Sequence, residues 1–201
     1  GGQLRDLRAL LKGCRDKDSV CADLEAQIAA NQQAKDGLIA LGNGQLIRVW
    51  MEHLFEVAKE EVQGLVQVLP EAEVEDCLDG VFLRLKLSQV RGRLQVDFRG
   101  TQGPHSGNLN APRAVVRSAV LYGLRVLMRR EFPLNEGALS EVDILLPDRS
   151  IVSPSARSAV VGGNVETSQR ITDLFLRAAG AQAASQGTMN NLTFGAADWA
   201  Y

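Results

Sequence analysis

The residues best suited to chemistry lie in two polar clusters. In Ala159-Val-Val-Gly-Gly-Asn-Val-Glu-Thr-Ser-Gln-Arg-Ile-Thr-Asp173 an apolar run enters Gly162 and Gly163 and then a helix start dense in amides and hydroxyls. Ala184-Ser-Gln-Gly-Thr-Met-Asn-Asn191 brings Ser185, Thr188 and Asn190 one helix later. A Gly-Gly-Asn turn at a helix amino terminus presents free backbone N–H groups and the positive end of the helix dipole. These attract a carboxylate, carbonyl or phosphate. Asn164 serves equally as an ordinary cap. The spacing matches neither GxGxxG nor GxxxxGK, so it carries no nucleotide fingerprint.

Helix phase divides the first cluster. At about 100° per residue, Glu166, Arg170, Asp173 and Arg177 form one stripe of alternating charge, expected to be a solvated or interface ladder. Ile171, Leu174, Phe175 and Ala178 form the apolar stripe opposite. Thr167 falls on the inner side, so Asn164, Thr167 and the amides of Gly162 and Gly163 are the ligand candidates of this helix.

Other candidates stand alone. Asp97 precedes Arg99-Gly100-Thr101 at a strand end, where a carboxylate acts as a base or orienting acceptor, or as a loop clamp; the clamp is favoured. Arg113 and Arg117 open a helix against its dipole, which a carboxylate or an anionic ligand would relieve. Asn108 and Asn110 supply amides at the same end, though Asn in a glycine loop is ordinarily turn chemistry. Ser185-Gln-Gly-Thr188 shows no Ser-His-Asp arrangement. His53 and His105 have no partner at metal-ligand spacing, so no metal site is expected within the chain.

The elements that hold these residues follow from hydrophobic period. Residues 23–41 read as a helix capped by Asp23, with Leu24, Ile28, Asn31, Lys35 and Leu38/Ile39 on one stripe. After Gly42-Asn43-Gly44 a second helix spans about 45–66, and the two are expected to form an antiparallel hairpin. Pro70 and Glu71–Asp76 read as a solvated connection. Val81, Leu83, Leu85 and Leu87, then Leu94, Val96 and Phe98, alternate with polar residues as a β-hairpin. Residues 99–112 read as loop and about 112–130 as a helix with Pro112 in its first turn. Leu139–Leu146 and Ala159–Val161 read as strands, Asn164–Gly180 as a helix and the stretch from Ser185 as loop. The fold class is α+β: an amino-terminal helical hairpin over 1–70, then a mixed β-sheet packed with two helices over 71–201 as one compact unit.

The chain has 201 residues and a net charge of -2, and its 22 basic residues form no stripe, which argues against nucleic acid. No apolar run approaches the ~20 residues of a membrane helix, and no signal segment opens the chain. The odd cysteine count, Cys14, Cys21 and Cys77, reads as reduced thiols in a cytoplasmic protein. Gly1-Gly2 and Trp199-Ala-Tyr201 look like cut ends, so the chain is expected to be a piece of a longer polypeptide.

Six segments in order resemble the hydantoinase B/oxoprolinase family. They are Asp23-Leu-Glu-Ala-Gln-Ile-Ala-Ala30, Val96-Asp-Phe-Arg-Gly-Thr101, Gly107-Asn-Leu-Asn-Ala-Pro112, Pro133-Leu-Asn-Glu-Gly137, Val160-Val-Gly-Gly-Asn-Val-Glu-Thr-Ser-Gln-Arg-Ile171 and Ala184-Ser-Gln-Gly-Thr-Met-Asn-Asn191.

The resemblance implies the central region of an ATP-dependent subunit that opens the ring amide of hydantoins or 5-oxoproline, inactive in isolation. It implies ATP supplied through a hydantoinase A-type ATPase partner or fused domain, and an oligomer. It also implies a divalent metal held by an amino-terminal region with motifs of the kind Asn-Asp-Pro-Tyr and His-His-Ala-Asp, which this chain lacks. No cofactor is expected on the chain itself, and the resemblance carries over no catalytic residue. Two alternatives stay open: a scaffold that docks the ATPase partner, and part of a ketone carboxylase subunit.

Overall fold

The structure is a computed structural model that describes residues 5, 7–9, 11, 19–41, 44–128, 130–181, 195–196 and 199–200. The chain divides into two compact units, 1–53 and 54–201.

The first unit holds α1 (Ser19–Ala40) and the first half of α2 (Gly44–Val66). α1 begins four residues before Asp23, so that residue lies in the second turn and is not the cap. Asn31 donates to the Gln27 carbonyl at 2.8 Å and Gln32 to Asp36 at 2.9 Å, local bonds of a solvated helix. Lys35, Leu38 and Ile39 are exposed.

In the second unit four strands form one sheet, in the order β1 (Ala72–Leu78), β2 (Val81–Val90), β3 (Arg93–Asp97) and β4 (Val142–Leu145). The first three run antiparallel, and β4 is parallel to β3, with Val96 opposite Ile144. Two-residue turns, Asp79-Gly80 and Arg91-Gly92, join the antiparallel strands with φ of 48° and 78°, then 53° and 79°. Both turns have the primed form that matches strand twist, and glycine makes each inexpensive.

β1 corrects the expectation of a solvated connection after Pro70. Glu73 and Glu75 sit on the outer side of this edge strand, where charge deters unwanted pairing, while Asp76 lies on the side facing α4. Glu75 faces Arg84 across the ladder and meets it at 2.9 Å. The expected β2–β3 hairpin is present, and Leu83, Leu85, Leu87, Leu94, Val96 and Phe98 are fully buried.

A parallel pair needs a long crossover. Here it contains a loop, α3 (Arg113–Leu127) and a 3-10 turn (Glu136–Leu139) capped by the Asn135 side chain. Pro112 is the residue before α3 rather than part of its first turn. α4 (Ser168–Ala178) lies over β1 and β2, and α3 packs against α4. Gly123 permits that packing, since a side chain there would overlap the Phe175 ring. The second half of α2 adds Ala58, Val62 and Val66 to the core at i, i+4 spacing.

Ala159–Val161 is not a strand: helical backbone begins at Val161, makes a wide π-type turn over Gly163–Thr167, and continues as α4. Gly195–Ala196 and Trp199–Ala200 pair as two short antiparallel strands, β5 and β6, where the sequence read as loop.

Candidate functional site

The two glycine motifs lock onto each other. The Gly163 amide donates to the Asn108 carbonyl at 3.2 Å, and a Cβ on Gly163 would overlap the Asn110 carbonyl. A Cβ on Gly162 would stand 2.9 Å from Asn108 Oδ1. The glycines therefore serve close backbone approach, and the Gly163 N–H is not free for a ligand. The Thr167 hydroxyl, fully buried, donates to the Leu109 carbonyl.

Asn110 is the hub of this junction. Its Oδ1 accepts the His105 amide at 2.8 Å, and its Nδ2 faces the carbonyls of His105, Gly107 and Ala159, each at 3.0 Å. A buried amide so fully used is structural. His105 closes the same loop. Its Nδ1 accepts the Gly107 amide at 2.9 Å, which puts the ring proton on Nε2, 3.0 Å from the Asp79 carboxylate.

Asp97 behaves as the favoured clamp. It accepts the Arg99 amide at 2.9 Å and holds the Arg99 guanidinium through both oxygens. That side-chain bond keeps the Asp97 carboxyl below its ordinary value of 3.8, against the opposing effect of desolvation. Arg93 and Asp143 form a similar two-pronged pair between β3 and β4, which lowers the Asp143 carboxyl and raises the Arg93 guanidinium.

The charged stripe of α4 is shared between solvent and the sheet: Arg170 and Arg177 stay about half exposed while they reach toward β1. Arg170 and Arg177 approach the Asp76 carboxylate of β1 at 3.6 and 3.8 Å, and Asp173 is buried. The opposing stripe of Ile171, Leu174, Phe175 and Ala178 is buried as expected. At the start of α3, Arg117 pairs with Glu136, while Arg113 binds the Ser153 hydroxyl at 3.1 Å and Asp148 at 3.3 Å. Carboxylates thus provide the relief that the helix dipole demands.

What remains open is a groove of about 570 Å³ between α3 and the start of α4. Ala114, Val115, Ser118, Ala119 and Tyr122 form one wall, and Asn164, Ser168, Gln169 and Thr172 the other. None of these carries a charge. Asn164 is exposed and is not the cap: it lies inside the π-type turn, whose cap position is Gly162. Ser168 and Thr172 turn their hydroxyl hydrogens back to helix carbonyls, the latter at 3.0 Å. Their oxygens, with the Asn164 and Gln169 amides and the Ser118 and Tyr122 hydroxyls, offer donors and acceptors to a neutral polar ligand.

The structure thus gathers Asn108, Asn110, Gly162, Gly163 and Thr167 in one junction and puts Asn164 on the adjoining groove, while Arg113 borders a smaller hollow and Asp97 lies elsewhere. Ser185, Thr188 and Asn190 lie outside the described residues, as does Cys14, while Cys77 is a free, exposed thiol. Ser118, Tyr122, Gln169 and Thr172 were not singled out in the sequence. Their signal was available: they sit at i, i+4 or i, i+3 on the polar sides of two amphipathic helices. Among the described residues no cluster of His, Cys, Asp or Glu has the arrangement to hold a metal ion, and no helix is long and apolar enough to cross a membrane.

A family model described as Hydantoinase B/oxoprolinase matches residues 2–201. The chain belongs to that family. It is 39% identical to 5-oxoprolinase 1 of Arabidopsis thaliana over 208 residues, covering 92% of this chain and 16% of the relative. The chain therefore spans about a sixth of the length of such relatives. Its fold resembles the crystal structure of the ATP-dependent caprolactamase from Pseudomonas jessenii, with a TM-score of 0.60 at 19% identity over 87% of this chain and 33% of the other. It also resembles a nucleotide-free acetone carboxylase structure, with a TM-score of 0.57 at 12% identity over 73% and 22% of the two chains.

Proposed function

We propose that this chain is the central region of an ATP-dependent cyclic-amide hydrolase subunit, acting on 5-oxoproline or a hydantoin. The observation that carries the reading is the identity to a 5-oxoprolinase along nearly the whole chain. The groove between α3 and α4 is chemically suited to it. A ring amide is neutral and presents one N–H and one carbonyl, and the groove wall offers amides and hydroxyls without charge. In this reading the region orients the ring amide, and ATP and a divalent metal are held by other parts of the enzyme: a hydantoinase A-type partner or fused domain, and an amino-terminal region. The chain by itself is then inactive, and the working enzyme is a cytoplasmic multi-subunit complex.

The test is ATP-dependent ring opening by the complete enzyme with 5-oxoproline and with hydantoin. Turnover of either supports the reading; turnover of neither overturns it. Bicarbonate-dependent consumption of a ketone would instead identify a carboxylase.

One observation favours a second reading, a scaffold that docks the ATPase partner: the polar groups of the glycine motifs are used up inside the fold. Asn164→Ala with Gln169→Ala separates the two. Lost turnover with an intact complex supports the groove as a substrate wall, whereas a lost complex with an intact fold supports the scaffold.

A further inference from the structure

His105 joins two parts of the second unit through its two ring nitrogens. Nε2 lies 3.0 Å from the Asp79 carboxylate in the β1–β2 turn, and Nδ1 accepts the Gly107 amide at 2.9 Å. The His105 side chain is only 14% exposed, while that of Asp79 is 71% exposed. The ring packs on Gly107 itself, where a Cβ would stand 2.9 Å from Cε1. The same loop carries Asn108, whose carbonyl takes the Gly163 amide, and the hub Asn110. One residue beyond Gly163, Asn164 enters the wall of the groove. The seating of the ring therefore reaches the groove through a short run of hydrogen bonds.

Only one protonation state satisfies both bonds. Neutral imidazole has one donor and one acceptor nitrogen, so with its proton on Nε2 it leaves Nδ1 free to accept. Imidazolium has two donors, and its Nδ1–H would point at the Gly107 N–H. Asp79 can keep its bond to Nε2 in either state, but Gly107 loses its acceptor. Either the ring turns away or Gly107 draws back. Among the described residues, no charged group besides Asp79 bonds the ring. Of the other charges on elements tied to this loop, Arg84 is held by Glu73 and Glu75, Arg99 by Asp97 and Arg113 by Asp148. Arg149 and Arg157 are exposed, and Glu166 is half-buried on the π-type turn.

We propose that His105 is a pH-sensitive clasp beneath the groove. Neutral, it fastens Gly107 and with it the loop that seats Gly162 and Gly163. On taking up a proton, over the range in which histidine titrates, it releases Gly107. Asn110 still ties the loop through its bonds to the backbone of His105 and Gly107, so release loosens the junction and displaces Asn164 without unfolding the chain. The shape of the groove then follows pH although its lining carries no charge. The clasp holds whether or not the groove takes a cyclic amide.

The experiment is NMR on the full 201-residue chain from about pH 8 to about pH 5. At the higher pH the His105 ring is expected to show an unprotonated Nδ1. As the ring gains its second proton, Gly107 amide exchange, corrected for its intrinsic pH dependence, should rise about tenfold, the fold-change of one lost hydrogen bond. The amides of Gly107, Asn108, Gly163 and Asn164 should titrate together with the ring. His105→Gln offers a neutral acceptor in place of Nδ1 and should hold these signals constant over the same range. His53→Gln, the control at the other histidine, should leave the response intact. The proposal is overturned by a proton on Nδ1 at the higher pH, by a Gly107 amide that stays protected once the ring is charged, or by a ring that never charges in this range. A response that persists in His105→Gln overturns it as well. Should that variant fail to fold, the ring and amide signals of the unaltered chain decide alone.

Discussion

The glycine junction and the helix groove are built from the same residue types but put them to opposite use. In the junction, Asn110 and Thr167 are buried and bonded to backbone, and Gly163 lets two chain segments touch. In the groove, the side chains of Asn164 and Gln169 have no hydrogen-bond partner among the described residues and line the open wall. The two regions meet at consecutive residues, Gly163 in the one and Asn164 in the other. Polar density alone therefore does not distinguish a site from a fastening; the difference lies in whether backbone groups have already claimed the side chains.

Substitutions can break that contrast. Gly163→Ala should have the largest effect, because the new Cβ meets backbone rather than a side chain that could move aside. A loss of more than about 4 kcal/mol in urea unfolding, or failure to fold, is expected. Asn110→Ala leaves the His105 amide and several carbonyls without partners and should cost about 2–3 kcal/mol by the same measurement.

Acid probes the clamps outside both regions. Asp97 and Asp143 have carboxyls lowered below 3.8 by Arg99 and Arg93. A group whose pKa is lowered on folding adds stability that is full above its unfolded value and lost as pH falls through its folded one. Stability should therefore decline below about pH 4, and Asp97→Asn should flatten that slope. A slope unchanged by this substitution would mean that the Asp97–Arg99 clamp is not coupled to folding.

The smallest effects sharpen the comparison. Gly64→Ala, in α2 with nothing within 4 Å of the new methyl, should stabilise by about 0.5–1 kcal/mol. Asn164→Ala should leave stability within about 0.5 kcal/mol, since it removes no bond within the fold. A cost near that of Asn110→Ala would erase the distinction between fastening and groove.

Much of this was legible in the sequence. Alternation located Leu83–Leu87 and Leu94–Phe98, and helical period located α2, α3 and α4. β1 was missed because Glu71, Glu73, Glu75 and Asp76 read as solvated charge, although Asp79-Gly80 is a hairpin signal of the same kind as Arg91-Gly92. That miss caused another. Without β1 there was no Asp76 for Arg170 and Arg177 to meet, so their stripe read as a solvated or interface ladder with no partner named. The role of Gly162 and Gly163 was hidden for a different reason: the segment they admit, Asn108–Ala111, lies about fifty residues away in sequence, and no local pattern reports such a meeting.

The parallel pairing of β3 with β4 bears on the order in which the chain assembles. β1, β2 and β3 are linked by two-residue turns, so their ladder closes through short loops and forms early. Leu94 and Val142 become neighbours only after the whole crossover, with α3, has been placed. The fastening of Gly163 to Asn108 must wait longer still. During synthesis the three-stranded meander would emerge after α2 and before α3 and β4, and α4, the last helix described, would complete the cover of its apolar face.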